Sequence, residues 1–322
     1  MELREDTRYT YAVARIRALE TRSLNLEKIQ RIVDAGDAST AWRETAGWHL
    51  LPKGELSPEN TQTDLEKFLI EEIRCTNNLF SSLSNDPELT NLFFLKYDFH
   101  NLKILLKISP ESLDGMVNLG LVPIEKLKES VIERNFRELP KLLQESIREI
   151  LELVKIDTNL LYGRLDMVDI ILDKKMFDLI FRTLKRHPAP SCSFLNMLFQ
   201  TEVDICNLNI CRRFKRLRRN RDFLNEALLP GGKLALKFLL EKYENNEYAP
   251  LNEFINFQIA TFKLQLNNLY ESTIYTAFGL EPLVAFLKKR EKDAKMIRMI
   301  ILAKLQGLAP KAIWGEINTI NE

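Results

Sequence analysis

The side chains that could bind a metal or act as nucleophiles are few and scattered in this sequence. Zinc sites and metal-dependent hydrolases need cysteines or histidines in closely spaced groups, such as CxxC or HExxH. No such spacing occurs here, so we predict no metal site and free thiols of a reducing compartment. The residues concerned are His49, His100, His187, Cys75, Cys192, Cys206 and Cys211.

The segment Leu229–Leu234 (LPGGKL) resembles a phosphate-binding loop only superficially. When its Gly-Lys pair is aligned with the motif, Ala227 stands where the first glycine belongs. Leu234 replaces the Ser or Thr that should follow the lysine. We therefore predict a turn before a helix over 233–243. The sequence also lacks a GxSxG motif, and we expect neither a catalytic centre nor a bound cofactor.

A basic segment carries the strongest charge pattern of the chain. Seven of the ten residues 212–221 are Lys or Arg, whereas the formal net charge of the whole chain is only +1. Three interpretations compete: a solvated helix face, a nucleic-acid-binding surface, and a surface that docks on an acidic protein. The candidate interface residues are Arg212, Arg213, Lys215, Arg216, Arg218 and Arg219, with Arg221 just beyond them.

Helical periodicity divides this basic segment into two sides. One side carries Arg212, Lys215, Arg216 and Arg219, at positions i, i+3, i+4 and i+7. Phe214 and Leu217 lie on the opposite side and are predicted to pack inward. Arg221 would fall between these two apolar residues. The helix must therefore end near Asn220, or Arg221 must face a buried acceptor.

The composition predicts that these residues are positioned by helices. The chain has 53 Leu but only 9 Val, and Gly and Pro together number 23 of 322 residues. Three segments combine a capping residue, a proline and a glutamate, which is typical of helix starts. They are Ser57-Pro58-Glu59, Asp86-Pro87-Glu88 and Ser109-Pro110-Glu111. No apolar run approaches the ~18 residues of a membrane span, and no signal-peptide core is evident. We expect a cytosolic, all-α protein.

A weak internal repeat places an acid and an amide on one helix face. Asp98 and Asn101 recur as Asp204 and Asn207, and in degraded form as Asp293 and Met296. We expect the two complete pairs to be partly buried and hydrogen-bonded to neighbouring helices. Three repeats predict pseudo-threefold symmetry within a single domain, 1–322. The approximate subdomains are 1–118, 119–221 and 222–322.

Four blocks in order together resemble one family, the C subunit of the V/A-type rotary ATPases, which is known as the d subunit in the vacuolar enzyme. The blocks are Tyr11–Glu20, Leu95–Lys107, Glu202–Leu208 with the basic segment and Leu229–Gly232, and Gly279–Pro310. Met296 departs from the pattern because the other two repeats carry Asn at that position.

The resemblance implies a funnel-like bundle of three helical subdomains without an active site of its own. Such a subunit is a non-catalytic part of the central stalk, with one copy per complex. It joins the central-shaft subunits to the membrane rotor ring on the cytoplasmic face of the membrane, during ATP-linked proton or sodium transport. The competing interpretation from the residues alone is a basic, all-helical nucleic-acid-binding protein.

We predict that the isolated protein neither binds nor hydrolyses ATP, because the segment around Gly232 lacks the phosphate-loop pattern. Titration calorimetry with ATP should give no saturable heat. Saturable binding at micromolar nucleotide would contradict this prediction.

Overall fold

The structure, a computed structural model, describes residues 7–51, 62–107, 115–156 and 165–321, and within them every regular element is a helix. The all-α prediction is therefore confirmed. Short 3₁₀ turns occur at Thr7–Tyr9, Thr45–Gly47 and Thr273–Tyr275. The α-helices are α1 Thr10–Glu20, α2 Leu26–Asp34, α3 Ala38–Glu44, α4 Gln62–Leu83, α5 Pro87–Asn91, α6 Leu95–Lys107, α7 Ile124–Glu133, α8 Lys141–Ile156, α9 Leu165–Arg186, α10 Cys192–Arg216, α11 Arg221–Ala227, α12 Leu236–Asn245, α13 Tyr248–Ser272, α14 Glu281–Leu305 and α15 Pro310–Asn321.

The helix starts follow the local sequence. Pro87 is the first residue of α5, directly after Asp86, and Pro282 lies in the first turn of α14. Asn25 caps α2 because its side chain accepts a hydrogen bond of 2.9 Å from the N–H of Lys28. The starts predicted at Ser57 and Ser109 lie outside the described residues. Within the described ranges, no helix is both long enough and apolar enough to cross a membrane.

The chain forms two compact units, each with its own apolar core. The terminal unit combines Met1–Asn85 with Ser272–Glu322, and the central unit is the continuous segment Asp86–Glu271. This division does not test the three predicted subdomains, which remain a prediction.

In the terminal unit, α14 is the helix around which the core forms. It contributes Ile297, Ile300 and Ile301, which pack with Ile32 of α2 and Leu65 of α4. All five side chains are at most 1% exposed. The N-terminal helices therefore bury their apolar faces against a helix that comes more than 200 residues later in the sequence.

In the central unit, the core surrounds the second half of α10. Leu208 and Cys211 of α10 pack with Leu224 of α11, Leu239 of α12 and Ile255 of α13. This core therefore fixes the end of α10, which carries the basic segment, against three helices that follow it.

A buried ion pair crosses the core of the terminal unit. Arg290 of α14 and Glu72 of α4 are 1% and 0% exposed, and their charged groups are 3.0 Å apart. The guanidinium also donates to the carbonyl of Trp48 at 2.7 Å and lies 3.7 Å from the centre of its ring. Glu72 in turn accepts hydrogen bonds from the N–H groups of Leu50 and Leu51. The pair thus holds the loop 48–51 between two helices.

His49 lies beside this ion pair and remains neutral. Burial and the charge of Arg290 lower the pKa of His49 to about 4. Its Nε2 atom is 3.0 Å from the hydroxyl of Thr45, which itself donates to the carbonyl of Trp42.

We predict that Glu72→Ala lowers the free energy of unfolding by about 3–5 kcal/mol, because it leaves the Arg290 charge buried without its carboxylate. Urea denaturation followed by circular dichroism measures this change. The control is Glu27→Ala, which removes the exposed partner of Arg31 and should cost less than about 1 kcal/mol. Equal effects of the two substitutions would contradict a special role for the buried pair.

Candidate functional site

The asparagines of the two complete repeats each bind the backbone of one loop residue through both ends of the amide. Asn101 donates to the carbonyl of Val117 and accepts from its N–H, both at 2.9 Å. Asn207 does the same with Leu229, at 2.9 and 2.8 Å. Each side-chain amide therefore satisfies both backbone polar groups of one loop residue.

The aspartates one turn earlier bind the same two loops. Asp98 accepts hydrogen bonds from the N–H groups of Leu121 and Val122, at 2.8 and 3.1 Å. Asp204 accepts from Lys233 and Leu234 at 2.9 and 3.0 Å. In each repeat these donors lie four and five residues after the residue bound by the asparagine.

The four side chains of these pairs, Asp98, Asn101, Asp204 and Asn207, are all 0% exposed. The partners described above are backbone groups of loops, whereas the partners expected from the sequence were neighbouring helices. Burial raises the pKa of Asp98 to about 7, although its two backbone donors favour the ionised form. Burial likewise raises the pKa of Asp204.

A glycine allows each loop to approach its aspartate. A Cβ atom at Gly120 would lie 2.2 Å from Oδ1 of Asp98, and one at Gly232 would lie 2.1 Å from Oδ1 of Asp204. This role of the two glycines was not predicted from the sequence. A sequence signal for this role does exist, because in both repeats the glycine lies three residues after the residue bound by asparagine. These pairs are Val117 and Gly120, and Leu229 and Gly232.

This geometry explains the segment that superficially resembles a phosphate-binding loop. The N–H groups of Lys233 and Leu234 point to the carboxylate of Asp204. The predicted helix after the turn begins at Leu236 rather than at 233. An intramolecular carboxylate therefore takes the place that a phosphate would need.

The third repeat keeps the aspartate and replaces the asparagine. Asp293 accepts a hydrogen bond of 3.0 Å from the N–H of Leu24, and Lys289 donates to the carbonyl of Leu24 at 2.9 Å. Lys289 also forms an ion pair with Asp293 at 3.2 Å, whereas Met296 joins the apolar core. Lys289 therefore supplies the donor that Asn101 supplies in the first repeat.

The basic segment ends its helix earlier than the sequence predicted. α10 ends at Arg216, not near Asn220, and Arg218 adopts a left-handed conformation with φ of 51°. The N–H of Arg219 bonds to the carbonyl of Phe214 at 3.0 Å and closes the helix end. The prediction that Leu217 packs inward is wrong, because this side chain is 50% exposed beyond the last helical turn.

Half of the predicted basic interface is engaged inside the central unit. Arg212 donates to the side chain of Asn256 at 2.9 Å, and Lys215 donates to the carbonyl of Tyr243 at 2.6 Å. Arg219 lies 5.3 Å from the centre of the Phe223 ring. Of the four residues on the predicted outer face, Arg212 and Lys215 therefore hydrogen-bond to the protein itself, whereas Arg216 and Arg219 are exposed.

The other half of the interface faces solvent. Arg213, Arg216 and Arg218 are exposed, and none of them forms an ion pair or a side-chain hydrogen bond with a described residue. Arg221 lies just beyond them, in the first turn of α11, and forms an ion pair of 3.2 Å with Glu244. Three of the six candidate residues are thus available to a partner.

We predict that Gly232→Ala lowers the free energy of unfolding by about 1–3 kcal/mol, because the new methyl group would overlap a buried carboxylate oxygen. Gly36→Ala is the control, since nothing lies within 4 Å of a Cβ atom there. Thermal unfolding of both variants measures the difference. Equal melting temperatures for the two variants would contradict this prediction, because they would show that the loop around Asp204 accommodates the methyl group without loss of stability.

Comparison with known proteins supplies the family. The family model described as ATP synthase (C/AC39) subunit matches residues 12–315. The C subunit of the V-type sodium ATPase of Enterococcus hirae is 27% identical over 68% of this chain and 71% of its own. The C subunit of the A-type ATP synthase of Methanothermobacter thermautotrophicus is 23% identical over 96% of this chain and 87% of its own.

A further relative, the C subunit of the A-type ATP synthase of Methanosarcina mazei, is 24% identical over 96% of this chain and 92% of its own. The resemblance drawn from the four sequence blocks is thereby confirmed. The relatives are named as subunits of ATPases and ATP synthases, which agrees with a chain that is not itself an enzyme. The protein belongs to the ATP synthase (C/AC39) subunit family.

Proposed function

We propose that this protein is a non-catalytic central-stalk subunit of a V/A-type rotary ATPase, present in one copy per complex. It joins the central-shaft subunits to the membrane rotor ring on the cytoplasmic face of the membrane. The observation that carries the proposal is the family match, which extends over residues 12–315.

The repeated loop contacts support a three-subdomain funnel with pseudo-threefold symmetry. In each repeat an aspartate on a long helix binds a loop that leads into another helix two residues later. These loop residues are Val122 before α7, Leu234 before α12 and Leu24 before α2. The third of these contacts joins the last repeat to the loop before α2.

The ion that the complex transports is either a proton or a sodium ion. The relative from Enterococcus hirae is named for sodium, whereas the archaeal relatives are named for ATP synthesis. A subunit that transmits rotation needs no ion ligand, and the described residues contain no cluster of three or more His, Cys, Asp or Glu side chains that could hold a metal.

Nucleic-acid binding is the alternative that the exposed arginines favour. Arg213, Arg216 and Arg218 present positive charge to solvent, which a phosphate backbone would match. Affinity purification from membranes separates the two functions, because they predict different material in the same eluate.

We predict that a tagged copy of the chain co-purifies with an active ATPase. The tagged protein is expressed in place of the native copy, and the membranes are solubilised in mild detergent before affinity purification. The eluate should hydrolyse ATP and contain the shaft and ring subunits by mass spectrometry. Vesicles from cells that lack the chain should lose ATP-driven ion uptake, because torque no longer reaches the ring.

The untagged strain provides the control for non-specific capture. An eluate with nucleic acid but without ATPase subunits would overturn the proposal in favour of the alternative. Ion uptake that persists in vesicles lacking the chain would also contradict it.

A further inference from the structure

A small surface at the end of α10 combines an exposed apolar side chain with exposed arginines. It consists of Arg213, Arg216, Leu217 and Arg218, and we name it the basic turn. Leu217 is 50% exposed, and the three arginines form no ion pair with a described residue. An exposed leucine among unpaired charges lacks any role in the core of the central unit.

The charge of the basic turn is not cancelled by its neighbours in the chain. Residues 212–219 contain six Lys or Arg and no Asp or Glu. The two inward-facing members, Arg212 and Lys215, are bound by an amide oxygen and a carbonyl, which are neutral groups. Their hydrogen bonds therefore fix these side chains but leave the positive charge in place.

Two acids that share a cleft with Arg213 are paired with lysines of another helix. Asp169 and Asp173 of α9 line a small cleft of about 80 Å³ together with Arg213. Asp169 binds Lys107, and Asp173 binds Lys103. The arginines of the basic turn therefore keep an attraction for carboxylates that the described part of the central unit does not satisfy.

The backbone at Arg218 adds an independent observation. α10 and α14 end with the same two closing hydrogen bonds, but α14 has Gly307 at the left-handed position, with φ of 73°. α10 has Arg218 there, with φ of 51°. A left-handed conformation is unfavourable for a residue with a Cβ atom, so an arginine at this position lowers the stability of the helix end.

We propose that the basic turn docks on an acidic protein surface, in which carboxylates surround an apolar side chain that covers Leu217. An apolar centre with a charged rim is the usual anatomy of a protein interface. The identity of the partner rests on the proposed function: it is an acidic segment of a shaft or ring subunit of the same complex.

A nucleic acid fits this surface less well. Proteins that hold single strands stack bases on exposed aromatic rings. The aromatic residues next to the basic turn, Phe214 and Phe223, are each only 8% exposed. A leucine at the centre offers no stacking surface and no hydrogen bond to a base.

The chain offers a matched control surface in the same unit. Ile132 is 55% exposed, Arg134 is left-handed with φ of 56°, and Arg137 is exposed. This surface therefore has an exposed aliphatic side chain and a left-handed arginine, like the basic turn. It differs in charge, because residues 125–138 contain four Lys or Arg and four Glu.

The test compares Arg216→Glu/Arg218→Glu, Leu217→Ser and the control Arg134→Glu/Arg137→Glu in the full-length protein. The probe is the shaft and ring subunits of the same organism, co-expressed, purified in detergent and immobilised. Binding is measured by biolayer interferometry at low and at high salt. Circular dichroism and thermal melting verify that each variant is folded.

The arginine reversal should raise the Kd at least ~10-fold at low salt, and this effect should shrink at high salt because the charges are screened. Leu217→Ser should raise the Kd by a similar factor at both salt concentrations, because apolar contacts are not screened. The control double variant should change the Kd by less than ~2-fold.

Three results would overturn the inference. The first is wild-type affinity of both basic-turn variants, and the second is an equal loss in the control variant. The third is wild-type binding of a duplex DNA probe that the arginine reversal abolishes, while binding of the ATPase subunits is unchanged. Failure of the wild-type protein to bind the subunits would instead overturn the proposed function, and the inference with it.

Discussion

The fold depends on buried side chains that satisfy the backbone of the loop next to them. Asp98 and Asp204 each accept two backbone N–H groups, and Asn101 and Asn207 each bind both polar groups of one loop residue. A loop that enters a core must pair its N–H and C=O groups, and a buried carboxylate must find donors. The loop therefore needs the buried carboxylate, and the carboxylate needs the N–H groups of the loop. As a result, the direction of the helix that follows the loop is fixed by a polar contact as well as by apolar packing.

In the terminal unit, a buried ion pair satisfies the backbone groups of a loop. The loop 48–51 gives its carbonyl at Trp48 to Arg290 and its N–H groups at Leu50 and Leu51 to Glu72. Burial alone would disfavour both charges, but each one is bound by the other and by the backbone. In the third repeat Lys289 and Asp293 hold Leu24 in a comparable way. Buried polar side chains that hydrogen-bond to the backbone of a loop thus occur in both units.

The sequence predicts the parts of this structure that depend on local signals. The leucine content and the Pro-containing helix starts indicate an all-α chain, and the spacing of Asp204 and Asn207 marks one helix face. The partners of those side chains are not local, because they lie 22 to 30 residues further along the chain, in the loop after α11. The only sequence signal for these partners is the spacing from Leu229 to Gly232, which equals that from Val117 to Gly120.

The wrong prediction at Leu217 has a physical cause, and so does the absence of any prediction for Arg290. Arg218 stands at a helix end where glycine is the usual signal, so the periodic pattern continues past the true end and places Leu217 on the wrong side. Arg290 lies in a stretch of α14 that is rich in charges and resembles a solvated face. Its carboxylate partner is Glu72, which comes 218 residues earlier, and no local pattern connects the two.

The terminal unit is built from both ends of the chain, and this affects how the protein folds during synthesis. Trp42 and Phe68 leave the ribosome early, but the isoleucines of α14 that share their core are among the last residues to emerge. At ordinary translation rates the central unit takes on the order of 10–40 s to synthesise. During that time the central unit can fold from its own continuous segment, whereas the N-terminal helices present apolar surface. The N-terminal helices therefore cannot complete their core until synthesis is nearly finished.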